Sequence, residues 1–138
     1  MPAEDNKALM RRGYEGLNQR NATAFYELFA PDVVFHNASM TAQGLEAYQQ
    51  FLSMFFNAFP DFQSTIEDMI AEGDKIVTRQ TFRGTHAGDL MGIPPTGKQV
   101  TMSGIVISQF VNGKCVELWA NNDELGLLQQ LGVIPPMG

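Results

Sequence analysis

The sequence has little positive charge and no long apolar run, and each shortage argues against a class of partner. Only nine of the 138 residues are lysine or arginine, against fifteen aspartates and glutamates, which gives a formal net charge of -6. Nucleic acids and anionic membranes are bound through clustered positive charge, so neither is expected as a partner. No apolar run approaches the roughly 20 residues that span a bilayer as a helix. The sequence therefore predicts a soluble protein.

Cysteine and histidine are also scarce. Cys115 is the single cysteine, so no internal disulfide can form, and the acidic opening MPAEDNKALM lacks the segments of a secretory signal. These two features predict a reducing, cytoplasmic setting. The two histidines, His36 and His86, lie fifty positions apart and form no close-spaced metal-binding pair. No phosphate loop is present and nothing indicates flavin or nicotinamide, so we expect neither a metal nor a cofactor.

The first half of the chain shows helical periodicity. One apolar stripe runs through residues 9–17, and a short second helix is predicted after a cap at Asn21, ending at Pro31. A third helix is predicted from Leu45 to Pro60, where aromatic residues recur at three- and four-residue spacing. A brief strand, DVVFH, separates the second helix from the third.

The second half of the chain is extended. Four segments have strand character, at 61–72, 74–86, 98–111 and 114–122. Asn112-Gly113 predicts a tight type I′ hairpin turn between the last two. With 44% hydrophobic residues, the chain has the composition of one globular domain over 1–138. We therefore expect an α+β fold, in which helices pack against a mostly antiparallel sheet.

The strand from about Lys98 to Val111 is apolar on both faces. One face carries Val100, Met102, Val106 and Phe110, and the other carries Ile105 and Ile107. An antiparallel sheet with one solvated face alternates more cleanly. We therefore expect helices on one side and a second copy of the chain on the other, with the Val100 face in a homodimer interface. Shielding by loops alone is the alternative.

The last strand carries a set of polar and aromatic side chains at alternate positions. Because successive residues of a strand point to opposite faces, Glu117, Trp119 and Asn121 share one side, and Asp123 joins them if the extension continues. If this side lines a cavity, the indole desolvates a carboxylate and raises its pKa toward a value useful for proton transfer. Asp123 is also well placed as a helix N-cap, a role that needs no substrate.

Three segments together resemble the SnoaL-type polyketide-cyclase branch of the nuclear transport factor 2-like proteins. They are FAPDVVFHN at 29–37, FRGTHAGDLMGIPPTGK at 82–98 and GKCVELWANNDELGLLQQLGVIP at 113–135. The resemblance implies a cone-shaped fold in which a curved sheet and N-terminal helices enclose an apolar pocket. It also implies a dimer, and an aldol cyclisation with an aspartate as acid/base, matched here by Asp123. Characterised cyclases tend to carry a histidine on the penultimate strand, whereas TMSGIVISQF has none. Whether His36 or His86 replaces it from another wall is left open by the sequence.

The candidate site residues follow from these patterns. The predicted catalytic residues are Asp123, Arg79 and His36. The predicted substrate-binding residues are Tyr14, Phe51, Phe55, Trp119, Asn121 and His86. Arg79 at mid-strand could bind an enolate oxygen inside the cone or face water. The alternatives for His36 and His86 are loop contacts.

The sequence is thus expected to encode a cofactor-free cyclase or isomerase that acts on an apolar carbonyl compound. A ligand-binding module without turnover is the first alternative, favoured if Asp123 points away from the cavity or serves only as a cap. Epoxide hydrolysis is the second. It requires two neighbouring carboxylates, and Glu117 and Asp123 are separated by about 20 Å on a straight strand.

Overall fold

The computed structural model describes residues 2–135. The helices are α1 (Ala3–Asn18), α2 (Ala22–Tyr26), α3 (Leu45–Ala58) and α4 (Glu124–Gln130). The strands are β1 (Phe29–His36), β2 (Thr41–Gln43), β3 (Gln63–Glu72), β4 (Lys75–Thr85), β5 (Gln99–Val111) and β6 (Lys114–Asn122). None of the described helices combines the length and the apolar character needed to cross a membrane.

The six strands form one curved, open sheet in the order β2-β1-β6-β5-β4-β3. Neighbouring strands are antiparallel except β1 and β6, which run parallel. Long hairpins join β3 to β4 and β5 to β6, while β4 reaches β5 through the loop at 86–98. The predicted α+β class and mostly antiparallel sheet are confirmed.

Local signals in the sequence account for some element ends. Asn21 caps α2, because its side-chain oxygen accepts a hydrogen bond from the Ala24 backbone N–H at 3.3 Å. The predicted end of this helix at Pro31 is wrong. The chain is already extended at Phe29, where it pairs with Cys115 of β6.

The turn between β5 and β6 has the predicted geometry. Asn112 and Gly113 have φ angles of 51° and 79°, and a type I′ turn requires positive φ at both central residues. Asparagine and glycine are the residues that adopt this conformation most readily.

The two faces of β5 alternate without a break. Val100, Met102, Val106 and Phe110 are buried in the core on the inner face, which the helices cover. Ile105 and Ile107 lie on the outer face and are 48% and 38% exposed. The assignment of the Val100 face to a dimer interface is therefore wrong. The period-two pattern separates two faces but does not tell which of them meets the helices.

Aromatic contacts hold α3 across the sheet. Near its start, the Tyr48 and Phe51 rings lie 4.8 Å and 5.1 Å from the Phe35 ring of β1. Near its end, the Phe56 ring stacks on Phe62 at 4.5 Å, and Phe62 in turn stacks on Phe82 of β4. The helix is thus fixed at both ends and encloses a space between itself and the inner face of the sheet.

Candidate functional site

A cavity lies between the inner face of the sheet and helices α1 and α3. Its volume is about 90 Å³, several times the roughly 10–15 Å³ that one water needs in the same measure. Most lining side chains are aromatic or aliphatic, and the polar ones are Tyr14, Tyr48, Ser64, Gln80, Ser108 and Asn122. Among the residues that the structure describes, no charged side chain lines this cavity. The space suits an uncharged, largely apolar molecule.

Three of the predicted binding residues line the cavity. Phe51 and Phe55 reach it from α3, and Tyr14 reaches it from α1. The Tyr14 hydroxyl donates a hydrogen bond to Gln80 Oε1. Burial raises the pKa of Tyr14 above its ordinary value, so the hydroxyl keeps its proton and acts as a hydrogen-bond donor.

A second buried tyrosine lines the same cavity and was not among the predicted site residues. Burial raises the pKa of Tyr48 well above its ordinary value, with a smaller contribution from Tyr14. The signal was present, because Tyr48 lies on the aromatic stripe of α3 together with Phe51 and Phe55.

The predicted wall on β6 faces away from the cavity. Glu117, Trp119 and Asn121 do share one side of the strand, but it is the outer one. The side chains that line the cavity from β6 are Leu118, Ala120 and Asn122. Trp119 and Asn121 are therefore not pocket residues, because the alternation of the strand places them on the opposite face.

His36 belongs to a cluster on the outer face. Its Nε2 lies 2.6 Å from Glu117 Oε2, and its Nδ1 lies 3.2 Å from Thr41 Oγ1. The imidazole stacks on Trp119 with a centroid distance of 5.5 Å. His36 and Glu117 therefore do not line the cavity. The pair of carboxylates that epoxide hydrolysis would need, Glu117 and Asp123, is not present there.

Arg79 and His86 also lie outside the cavity lining. Arg79 is exposed on the outer face of β4, and the next residue, Gln80, points inward instead. His86 is fully buried, and its Nδ1 accepts a hydrogen bond from the Thr96 backbone N–H at 3.2 Å. The ring thereby fixes the loop at 86–98, which is the alternative that the sequence left open.

Asp123 caps α4. Its carboxylate accepts a hydrogen bond from the Gly126 backbone N–H at 2.9 Å, and its own N–H donates to Ser103 O at 2.9 Å. The side chain is exposed and does not line the cavity, although the preceding residue, Asn122, does. The cap accounts for this carboxylate without a substrate.

The cap predicts how substitutions at Asp123 affect stability. Asp123→Asn should leave the free energy of unfolding almost unchanged, because the amide oxygen can accept the same hydrogen bond. Asp123→Ala should lower it by about 1 kcal/mol, because the bond to Gly126 N–H is lost. Urea denaturation of the two variants measures the difference, with Glu124→Ala as a control in the same turn. Equal losses in Asn and Ala would contradict the cap.

The family model for SnoaL-like polyketide cyclases matches residues 7–131. A comparison with curated proteins found no match.

Several solved structures share the whole fold. AclR, a candidate hydroxylase from Streptomyces galilaeus, is 28% identical, with a TM-score of 0.90 over 99% of this chain and 87% of that one. IdmH, a candidate polyketide cyclase from Streptomyces antibioticus, is 30% identical, with a TM-score of 0.81 over 92% and 98%. TsrD from Streptomyces laurentii is 26% identical, with a TM-score of 0.86 over 97% and 99%. The expected nuclear transport factor 2-like fold is thus confirmed. The chain belongs to the family of SnoaL-like polyketide cyclases.

Proposed function

We propose that this protein binds an uncharged, polyketide-like ring compound with carbonyl or hydroxyl groups in the cavity under α3. The proposal rests on the composition of the cavity lining. Aromatic rings form its walls, the polar side chains are neutral hydrogen-bonding groups, and none of the described lining residues is charged. The aromatic rings contact the flat faces of such a ligand, and the polar groups orient its oxygens. Binding of a phosphorylated ligand would be unfavourable, because no positively charged side chain of the described lining offsets the cost of desolvating the phosphate.

The neutral side chains also define the chemistry that the cavity supports. The hydroxyl and carboxamide side chains of the lining can polarise a carbonyl or stabilise its enol, which favours ring closure or isomerisation of a bound carbonyl compound. None of these neutral groups can take up a proton at neutral pH. Binding and orientation of the ligand are therefore the contribution of the cavity.

A substitution that fills the cavity tests this proposal. Ala120→Leu adds a branched side chain to the middle of the lining, and we expect it to abolish binding of 1-naphthol while the protein stays folded. Asn121→Leu is the matched control, because the same side chain then lies on the outer face. Calorimetric titration with 1-naphthol and with 1-naphthyl phosphate measures the effect. Tighter binding of the phosphate to the native protein, or unchanged binding in Ala120→Leu, would overturn the proposal.

A second candidate function is cyclisation with Asp123 as acid/base. It is favoured by the family match through residues 7–131, which includes Asp123, and by the position of this residue directly after Asn122 of the lining. In that case Asp123→Asn would lose turnover by about 100-fold or more, the usual scale for general acid–base catalysis. Full turnover in this variant would leave Asp123 as a cap only.

We also propose that the outer face of the sheet joins two copies of the chain. Ile105 and Ile107 on this face are half exposed, and Trp119 lies beside them on β6. Arg79 and Asp68 occupy paired positions on neighbouring strands of the sheet. A surface with an apolar centre and charges of both signs is suited to a two-fold contact with itself.

A further inference from the structure

Two side-chain amides and a glycine form a row across the inner face of the sheet. Gln80 of β4 pairs in register with Gly104 of β5, and Gly104 pairs with Asn122 of β6. Gln80 and Asn122 both line the cavity. The row therefore places two carboxamides on either side of a position that has no side chain.

Gly104 allows the Asn122 amide to lie over the strand. A Cβ atom at position 104 would be 1.8 Å from Asn122 Oδ1 and 2.9 Å from its Cγ, closer than real Cβ contacts. Any other residue would push the amide away. A glycine within a strand commonly marks such a close approach. The side chain of Asn122 thus extends from β6 over Gly104, toward Gln80 on the far strand.

Tyr14 orients the other amide. Its hydroxyl donates to Gln80 Oε1, which leaves the Nε2 hydrogens of Gln80 available to the cavity. Over residues 2–135, no hydrogen bond joins the amide nitrogen of Gln80 or of Asn122 to another protein group. Each amide carries two N–H donors. The row therefore places two amides with unpaired nitrogens in the lining of the cavity.

We propose that Gln80 and Asn122 together bind one carbonyl oxygen of the ligand, with Tyr14 and Gly104 as positioning residues. The inference rests on the proposed function, since it names the part of the ligand that this cavity recognises. A ketone oxygen accepts two hydrogen bonds, so it can take one from each amide of the row. A hydrocarbon of the same shape leaves both amides desolvated and unpaired, which weakens its binding.

A matched ligand pair tests the inference separately from the proposed function. 1-Tetralone and tetralin share one ring skeleton and differ in a single carbonyl group. Titration calorimetry should show that the native protein binds the ketone about ten-fold more tightly or better, the scale of two neutral hydrogen bonds. Asn122→Leu and Gln80→Met should reduce this ratio toward one, mainly by weakening the ketone. Gly104→Ala should do the same without changing the chemistry of either amide.

The control is an amide on the other face of the same strand. Asn121 is exposed on the outer face of β6, directly before Asn122, and does not line the cavity. Asn121→Leu should keep the native ratio, with melting temperatures showing that all variants are folded. Tetralin binding without ketone preference would refute the inference and leave the proposed function intact. Failure of both ligands to bind would refute both, and an unchanged ratio in Asn122→Leu and Gln80→Met would refute the role of the amides.

Discussion

Cys115 in the folded protein should react with iodoacetamide at pH 8 about a thousand times more slowly than in the unfolded chain. The residue is fully buried in β6, and its Sγ donates to Glu117 O at 3.5 Å. Burial raises the pKa of the Cys115 thiol from 9.0 to about 12, outweighing the opposing hydrogen bonds. Because only the thiolate reacts, three pKa units correspond to a roughly thousand-fold smaller reactive fraction.

Mass spectrometry of alkylated protein, with and without 6 M guanidinium chloride, measures the ratio of the two rates. Cys115→Ala provides the background. Fast labelling of the folded protein would show that the thiol is accessible and would contradict the burial. Slow labelling would argue against Cys115 as a nucleophile, because a nucleophilic thiol has to be ionised near neutral pH.

The raised pKa of the Cys115 thiol also predicts that the protein becomes less stable at high pH. The unfolded chain releases the thiol proton near pH 9, while the folded protein retains it until about pH 12. The contribution of Cys115 to the free energy of unfolding should therefore be constant below pH 9 and should fall as the pH rises through this window. Tyr14 and Tyr48 act in the same direction at higher pH. In Cys115→Ala the early part of the decline should be absent.

The periodicity of the sequence predicts the helices and strands and divides each strand into two faces. It does not predict which of the two faces is covered by the helices. Trp119 and Asn121 illustrate the limit. Their shared side on β6 was predicted, yet it lies outside the cone, because the faces are assigned by helices that are distant in sequence. An amphipathic helix has one apolar stripe that must face the core. For that reason Tyr14, Phe51 and Phe55 were placed correctly.

The side chains that form the candidate carbonyl site were missed for a related reason. Gln80 is adjacent to Arg79, and Asn122 is adjacent to Asp123. In each pair the charged residue was predicted to be catalytic, because a charged side chain indicates a chemical role more strongly than a neutral amide does. Neutral amides are common on surfaces and point to no particular chemistry in a sequence. Gly104 was the usable signal, since a glycine in the middle of an apolar strand indicates a close approach by another group.

The proposed association of two copies can be tested by measuring the mass of the protein in solution. At micromolar concentration, sedimentation equilibrium should give twice the 15.3 kDa mass of the chain. Ile105→Lys should give the single-chain mass, because a two-fold contact would bring two lysines together in its apolar centre. Dissociation should also expose Trp119 and shift its emission to longer wavelength, since this single tryptophan lies on the outer face and not in the cavity.

Met54→Lys is the control, because it places the same charge on α3, the helix that covers the inner face, where Met54 is 40% exposed. This variant should remain a dimer. Ile105→Lys should also keep the melting temperature of an intact cone and bind 1-naphthol with native affinity, since the cavity is lined by residues on the other face of the sheet. A native protein that sediments as a monomer at micromolar concentration, or an Ile105→Lys variant that stays dimeric, would show that this face serves another purpose.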